Sequence, residues 1–167
     1  MQEKAGVVVS VVMGSDSDLQ VMEEAVKILE VFAIPHELFL TSAHRTPERT
    51  AQFARGAAKR GVRVIIVGAG AAAHLAGVIA SQTLLPVIGV PIDATSLQGL
   101  DALLATVQMP EGIPVATMSI GKAGAKNAAL LAVRILALEE PDLPKKLQAY
   151  VRKMAQEVER KHENLKR

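Results

Sequence analysis

Short runs of apolar residues alternate along the chain with longer segments in which apolar residues recur every three or four positions. The short runs are rich in Val and Ile, as expected for strands buried on both faces of a parallel sheet. We predict five strands, at residues 7–13, 37–41, 62–67, 86–92 and 114–120. The periodic segments predict helices at residues 21–32, 46–61, 74–84, 100–107 and 127–138. This alternation predicts an α/β fold: a three-layer, flavodoxin-like, doubly wound five-stranded parallel sheet.

The segment after Pro141 has a different pattern, because its apolar residues lie at helical intervals among Lys, Arg and Glu. These apolar residues are Leu147, Val151, Met154, Val158 and Leu165. We predict a C-terminal helical extension at residues 141–167, separate from an α/β catalytic domain at residues 1–140. One sheet domain does not obviously cover such a stripe, so we interpret the extension as a subunit contact and expect a homo-oligomer.

Composition and charge exclude several classes of protein. The 167 residues carry a net charge of +2, which is too small for the electrostatic footprint of a nucleic-acid binder. The chain has no Cys, which excludes a disulfide-built secreted scaffold and thiolate catalysis. The first residues lack the pattern of a cleaved signal, and no stretch reaches the roughly 18 apolar residues of a membrane span. We therefore expect a cytoplasmic protein with neither membrane nor nucleic-acid partners.

Polar residues cluster where the predicted strands end, which is where parallel α/β sheets bind ligands. After the first strand, Gly14, Ser15 and Ser17 offer backbone N–H groups and hydroxyls that suit an anion. Asp16 and Asp18 could instead bind Mg²⁺, although two carboxylates without a third acidic neighbour argue against a metal. The same residues also suit helix capping and turns, so both interpretations stay open.

The segment after the second strand contains a His that suits proton transfer. His44 lies at the strand end next to Ser42 and Arg45, and a neighbouring cation favours the neutral imidazole, which can accept or donate a proton near pH 7. The Arg45 guanidinium also fits a phosphate or a carboxylate. The alternative is a His that only satisfies loop backbone groups, and its place at the sheet edge favours a function.

The third strand runs into Gly68–Ala73, which matches the dinucleotide-binding pattern G-x-G-x-x-G/A. Asp93, at the end of the next strand, lies roughly where a ribose-binding acid is expected. A nucleotide-sensing module that binds NAD is therefore one hypothesis. The alternative is that the small residues let the backbone pass close to another group and present His74 in the first turn of a helix.

Six ordered segments between residues 7 and 138 together resemble one known family. They are Met13–Asp18, Ser42–Pro47, Gly68–Leu75, Leu85–Pro91, Gln108–Thr117 and Asn127–Ala132. They are similar to the PurE family of purine biosynthesis, the N5-carboxyaminoimidazole ribonucleotide mutases. A branch of this family carboxylates aminoimidazole ribonucleotide directly and has Lys after the His, so Arg45 points to the mutase branch.

This resemblance implies an isomerase that forms 4-carboxy-5-aminoimidazole ribonucleotide by decarboxylation and recarboxylation of its substrate. His44 matches the family's acid/base residue, which protonates the departing nitrogen and then removes the proton from ring carbon C4. Since one imidazole serves both steps, we expect no cofactor and no metal. The family assembles as an octamer with sites at subunit boundaries, which would account for the amphipathic extension.

The resemblance also implies a set of substrate-binding residues. They are Gly14, Ser15, Ser17, Asp18, Ser42, Arg45, Gly70 and His74. Among them, Ser15 and Ser17 are expected to contact the substrate phosphate through hydroxyl and backbone groups, and Arg45 through its guanidinium. Asp18 is expected to contact the ribose hydroxyls, and the loop that contains Gly70 to enclose CO₂.

Two residues depart from the family pattern. Ala71 stands where the family usually has Gly, and Ala76 where it usually has Pro. If position 71 requires a positive φ, Ala there costs about 1 kcal/mol. Direct carboxylation of aminoimidazole ribonucleotide is the second hypothesis for an enzyme, beside the NAD-binding module.

Overall fold

The computed structural model describes residues 6–165, and its centre is a five-stranded sheet in which all neighbouring strands are parallel. The strands are β1 (Val9–Met13), β2 (His36–Leu40), β3 (Val64–Gly70), β4 (Val87–Ile92) and β5 (Ala116–Thr117). Their spatial order is β2-β1-β3-β4-β5, so the chain changes direction across the sheet between β1 and β3. Ligands of doubly wound sheets bind at such a switch point.

Helices cover both faces of this sheet. Over residues 6–165 they are α1 (Leu19–Val31), α2 (Pro47–Ala57), α3 (Leu75–Ala80), α4 (Leu100–Val107), α5 (Lys122–Leu136) and α6 (Leu143–Leu165). Val11 of β1 belongs to the core that packs against α1 and α5, whereas its neighbour Val12 packs on the other face with residues of α2 and α3. Both faces of β1 are thus buried. The predicted three-layer α/β fold with a C-terminal helix is confirmed.

Several predicted boundaries differ from those in the structure. β5 has two residues, Ala116–Thr117, instead of the predicted 114–120, because it is an edge strand that follows a proline without an N–H. α5 begins at Lys122 instead of 127. Its first turn packs through Gly124, where an added Cβ would lie 1.7 Å from the Ser119 carbonyl oxygen. Such close packing of small residues produces no apolar periodicity.

α6 packs on the sheet domain only at its start. Leu143 is buried, and the Tyr150 ring lies 5.5 Å from the Phe32 ring at the end of α1. From Val151 to Leu165 every residue is exposed. The division into domains at residue 140 stays a prediction. Among residues 6–165, no helix combines the length and the apolarity needed to cross a bilayer.

The end of α1 holds a non-glycine residue in the left-handed region. Ala33 has a φ of 55°, its N–H donates to the Glu30 carbonyl, and the Ile34 N–H donates to the Leu29 carbonyl. This pair of bonds is the Schellman motif, whose left-handed position usually holds Gly. A Cβ in this conformation is unfavourable, so the cap is formed under strain.

Ala33→Gly should raise the free energy of unfolding by about 1 kcal/mol, because Gly adopts the left-handed conformation without the Cβ clash. Chemical denaturation measures this change. Ala51→Gly, in the interior of α2, is the control and should lower stability by about 0.5–1 kcal/mol. A loss of stability in both variants would contradict the assignment of strain to Ala33.

Candidate active site

The carboxyl ends of β2, β1 and β3 meet at one edge of the sheet, which brings the three predicted loops together. The Thr41 N–H donates to the Met13 carbonyl at 3.0 Å, and the Gly14 N–H donates to the Gly68 carbonyl at 3.3 Å. These bonds continue the strand pairing by one residue beyond the strands. Residues that are distant in the sequence therefore share one rim.

The loop after β1 is held by hydrogen bonds within itself. The Ser15 hydroxyl accepts from the Ser17 N–H at 3.4 Å, and the Asp18 carboxylate accepts from the Ser15 N–H at 3.1 Å, forming a capping box. The Asp18 N–H donates to the Ser15 carbonyl, and the Ser17 hydroxyl donates to the Ser15 hydroxyl at 3.0 Å. The backbone N–H groups that we expected to bind an anion are therefore already donated, while the two hydroxyls lie side by side.

Asp18 is a buried carboxylate at the base of this loop. Burial raises its pKa above the ordinary value of 3.8, and the hydrogen bonds from the Ser15 and Gly14 backbone oppose that rise. These contacts indicate that Asp18 fixes the conformation of the loop. The contact of Asp18 with the ribose stays a prediction. Within residues 6–165, no three His, Asp or Glu side chains are grouped so as to hold a metal ion.

The loop after β2 is held in place by hydrogen bonds of hydroxyl groups. The Thr46 hydroxyl donates to the Ser42 carbonyl and accepts from the Ser42 N–H, both at 3.0 Å. Thr41, buried beneath it, bonds to the hydroxyls of Thr46 and Thr50 at 3.1 and 2.9 Å. The Ser42 hydroxyl in turn accepts from the Arg45 N–H at 3.2 Å. This network fixes the short turn on which His44 lies.

His44 pairs with His74, which immediately precedes α3. Nε2 of His44 lies 2.9 Å from Nδ1 of His74, and the two rings meet edge-to-face with an interplanar angle of 83°. Both side chains are exposed. When both rings are neutral, one of these nitrogens carries the shared hydrogen and the other accepts it. The sequence predicted both residues for the site, but not their contact.

A cavity of about 450 Å³ opens beside this turn. Four predicted site residues line it, namely Gly14, Ser15, Ser42 and Arg45. The Arg45 guanidinium donates to the Gly14 carbonyl at 3.3 Å and so joins the loops after β1 and β2. The cavity is also lined by Asp16, Leu40, Thr41, Thr46 and Arg49. Ser17, Asp18, His44, Gly70 and His74 lie on the same rim outside this lining.

The glycines of the Gly68–Ala73 segment are required by packing inside the protein. A Cβ on Gly68 would lie 2.3 Å from the Met22 sulfur, and a Cβ on Gly70 would lie 2.5 Å from the Ala94 Cβ. The resemblance to a dinucleotide-binding loop therefore has an internal cause. Ala71 has a φ of 53°, so position 71 does adopt the positive φ at which Ala is strained.

Sequence reasoning missed Arg49, which comes four residues after Arg45 and lines the same cavity. The strand-end rule does not reach a residue inside α2, although the four-residue spacing of the two Arg side chains was a usable signal. A larger cavity, of about 600 Å³, is lined by residues such as Arg55, Gln82 and Leu84 and by none of the predicted site residues.

Comparisons with known proteins agree with one another. The AIR carboxylase family model matches residues 8–157. The N5-carboxyaminoimidazole ribonucleotide mutase of Pyrococcus horikoshii is 57% identical over 157 residues, which cover 94% of this chain and 88% of that protein. The mutase of the same name from Escherichia coli K12 is 50% identical over 150 residues, covering 90% and 89%.

A solved structure extends the agreement to the fold. The crystal structure of Treponema denticola PurE superposes with a TM-score of 0.84 at 30% sequence identity, covering 96% of this chain and 99% of that one. The family match, the curated relatives and the sheet order are thus consistent over nearly the whole length. The chain belongs to the AIR carboxylase family.

Proposed function

We propose that this protein is an isomerase of de novo purine biosynthesis that converts N5-carboxyaminoimidazole ribonucleotide to 4-carboxy-5-aminoimidazole ribonucleotide. The observation that carries the proposal is the hydrogen-bonded His44–His74 pair on the rim that also holds the Arg45 cavity. The curated relatives, with 50–57% identity over most of their length, carry the name of this reaction. At Arg45 the chain resembles the mutase branch of the family, which favours the carboxyl shift over direct carboxylation of aminoimidazole ribonucleotide.

The cavity supplies the binding contacts. The phosphate of the ribonucleotide would meet the Arg45 guanidinium and the Ser15 hydroxyl of the cavity lining, with the Ser17 hydroxyl 3.0 Å from that of Ser15 on the same rim. The loop amides contribute indirectly, since they hold these hydroxyls in place. Asp18 is assigned to the ribose.

The base end of the substrate is assigned to the other rim residues. Gly14 and Ser42 line the cavity, and Gly70 and His74 stand at the end of β3 and just beyond it. In this position the small residues after Gly70 would enclose the CO₂ that is released and then recaptured.

His44 carries the proton chemistry in this proposal. The carbamate C–N bond breaks, CO₂ leaves, and the exocyclic nitrogen takes the proton that His44 donates. Ring carbon C4 then attacks the same CO₂, and His44 removes the C4 proton, which restores the aromatic ring. The proton lost in the first step is regained in the second, so the enzyme ends as it began and the scheme includes no metal or cofactor. Such acid–base placement contributes roughly 10²–10⁴-fold to a rate.

His74 supports this cycle as the hydrogen-bond partner of His44. The 2.9 Å contact fixes which His44 nitrogen faces His74 and so leaves Nδ1 of His44 for other partners. A pair of imidazoles that share a hydrogen also accommodates one added proton, because either ring can then donate to the other. The pair thus suits a residue that cycles between its neutral and charged forms.

We also propose that the exposed part of α6 is a subunit contact in a homo-oligomer, with the octamer of the family as the expected size. Val151, Met154 and Val158 are 46%, 43% and 66% exposed, which is unusual for apolar residues that follow one helical stripe. Burial of this stripe against another copy removes it from water. A cytoplasmic location stays a prediction.

Incubation of the purified protein with the carbamate ribonucleotide and isotopically labelled bicarbonate tests the reaction. We expect conversion to the C4 carboxylate with no label in the product at early times, because the released CO₂ is recaptured before it exchanges. Early incorporation that depends on bicarbonate would instead indicate direct carboxylation. Saturable NAD binding without turnover of either ribonucleotide would favour the binding module.

His44→Asn should lower kcat by about 10²–10⁴-fold or more while the affinity for the product ribonucleotide stays largely unchanged, because the amide keeps a polar contact but cannot cycle a proton. Steady-state turnover and calorimetric binding measure the two effects. His36→Asn is the control, since His36 bonds to the Ile34 carbonyl outside the site. Near-normal turnover of His44→Asn would remove the proposed mechanism.

Truncation before Pro141 should reduce the size of the oligomer in analytical ultracentrifugation, because it deletes the exposed stripe of α6. A second chain that ends at Tyr150 keeps the contacts of Leu143 and Tyr150 with the sheet domain and should show the same reduction. If the chain that ends at Tyr150 still sediments at the full size, the assigned role of the stripe is wrong.

A further inference from the structure

Arg49 is a second guanidinium in the cavity that holds Arg45. It is the third residue of α2 and is exposed, and it lines the cavity together with Ser15, Ser42 and Arg45. No carboxylate of residues 6–165 forms a salt bridge with it. Its charge is therefore not neutralised by a partner within the described chain.

An aromatic platform orients this side chain. The guanidinium carbon of Arg49 lies 4.9 Å from the centre of the Phe39 ring, and Phe39 stacks on the buried Phe53 at 4.3 Å. The guanidinium carbon of Arg60 lies 4.9 Å from the centre of the Phe53 ring, but Arg60 also binds the Glu37 carboxylate at 2.9 Å. Two similar cation–π contacts thus differ in one respect, since within residues 6–165 Arg60 has an acidic partner and Arg49 has none.

The charge balance of the cavity favours a role for Arg49 if an anion binds there. The other charged groups of the lining are Arg45 and Asp16, which cancel. The Arg45 guanidinium also donates one N–H to the Gly14 carbonyl. The backbone N–H groups of Gly14, Ser15, Ser17 and Asp18 donate to acceptors within the protein. A phosphate monoester carries about −1.5 to −2 charges at neutral pH, so it needs more than one cation.

We propose that Arg49 is a phosphate-binding residue that makes the site selective for the 5′-phosphorylated form of its ligand. The Phe39 ring holds the planar guanidinium in place, so less rotational freedom is lost when the phosphate is bound. This inference rests on the proposed function, because the ribonucleotide is the ligand that brings the phosphate to the cavity.

The test compares two ligands on the same variants. Calorimetry measures the affinity for 4-carboxy-5-aminoimidazole ribonucleotide and for the corresponding nucleoside without its phosphate. Arg49→Gln should weaken binding of the ribonucleotide by about tenfold, since a charge-assisted contact is lost. Binding of the nucleoside should change by no more than about twofold, and Arg49→Lys should give an intermediate loss because it keeps the charge without the planar fork.

Lys59→Gln provides the matched control, because it removes one positive charge from an exposed position ten residues after Arg49, in the short helical turn that follows α2. It should leave both affinities unchanged. Turnover should show a raised KM and an almost unchanged kcat for Arg49→Gln, as expected for a contact that is equal in ground and transition states. The affinity of the wild type for the ribonucleotide should also depend more strongly on salt than that of Arg49→Gln.

Two outcomes would overturn the inference. One is that Arg49→Gln binds the ribonucleotide as tightly as Lys59→Gln does. The other is that it loses affinity equally for the nucleoside, which would place its effect away from the phosphate. Failure of the proposed function looks different, because the wild-type protein itself would then not interconvert the two carboxylated ribonucleotides.

Discussion

Parallel pairing of β1 with both β2 and β3 is the constraint on which the site depends. The register aligns Met13 with Leu40 and with Gly68, so β1 and β2 end at one level, β3 ends two residues beyond it, and their loops share one rim. Ser15, His44 and His74 lie in three different loops, and this alignment alone brings them to the same edge. A slip of one residue in either pairing would reverse the faces of the strand and separate the two imidazoles.

Much of the fold could be predicted because the interior strands are buried on both faces. Val11 and Val12 contact different helical layers, so an uninterrupted apolar run was required there and was visible in the sequence. Prediction failed where packing depends on the absence of side chains. The first turn of α5 fits against Ser119 through Gly124. This contact leaves no periodic signal, so the predicted start of α5 at residue 127 was five residues late.

The site was predictable as a set of loops but not as a set of contacts. Position at a strand end indicated His44, Arg45 and His74, because the edge of a parallel sheet is a property of topology. Their distances depend on side-chain hydrogen bonds such as that from Thr46 to the Ser42 carbonyl. Arg49 was not predicted for a related reason, because its orientation depends on a contact with the Phe39 ring of β2.

The loop after β1 illustrates how the same residues satisfy two interpretations at once. Ser15 and Asp18 form a capping box, as their residue types allow, and this consumes the backbone donors that a helix start would otherwise offer to an anion. The hydroxyls of Ser15 and Ser17 are nevertheless held together at the rim. Because the N–H groups of Gly14, Ser15, Ser17 and Asp18 are committed, most of the attraction for a negative ligand comes from side-chain charge, and the guanidinium groups of Arg45 and Arg49 are the cations that line this cavity. The β1 loop therefore contributes to the shape of the cavity, and the β2–α2 segment provides its positive charge.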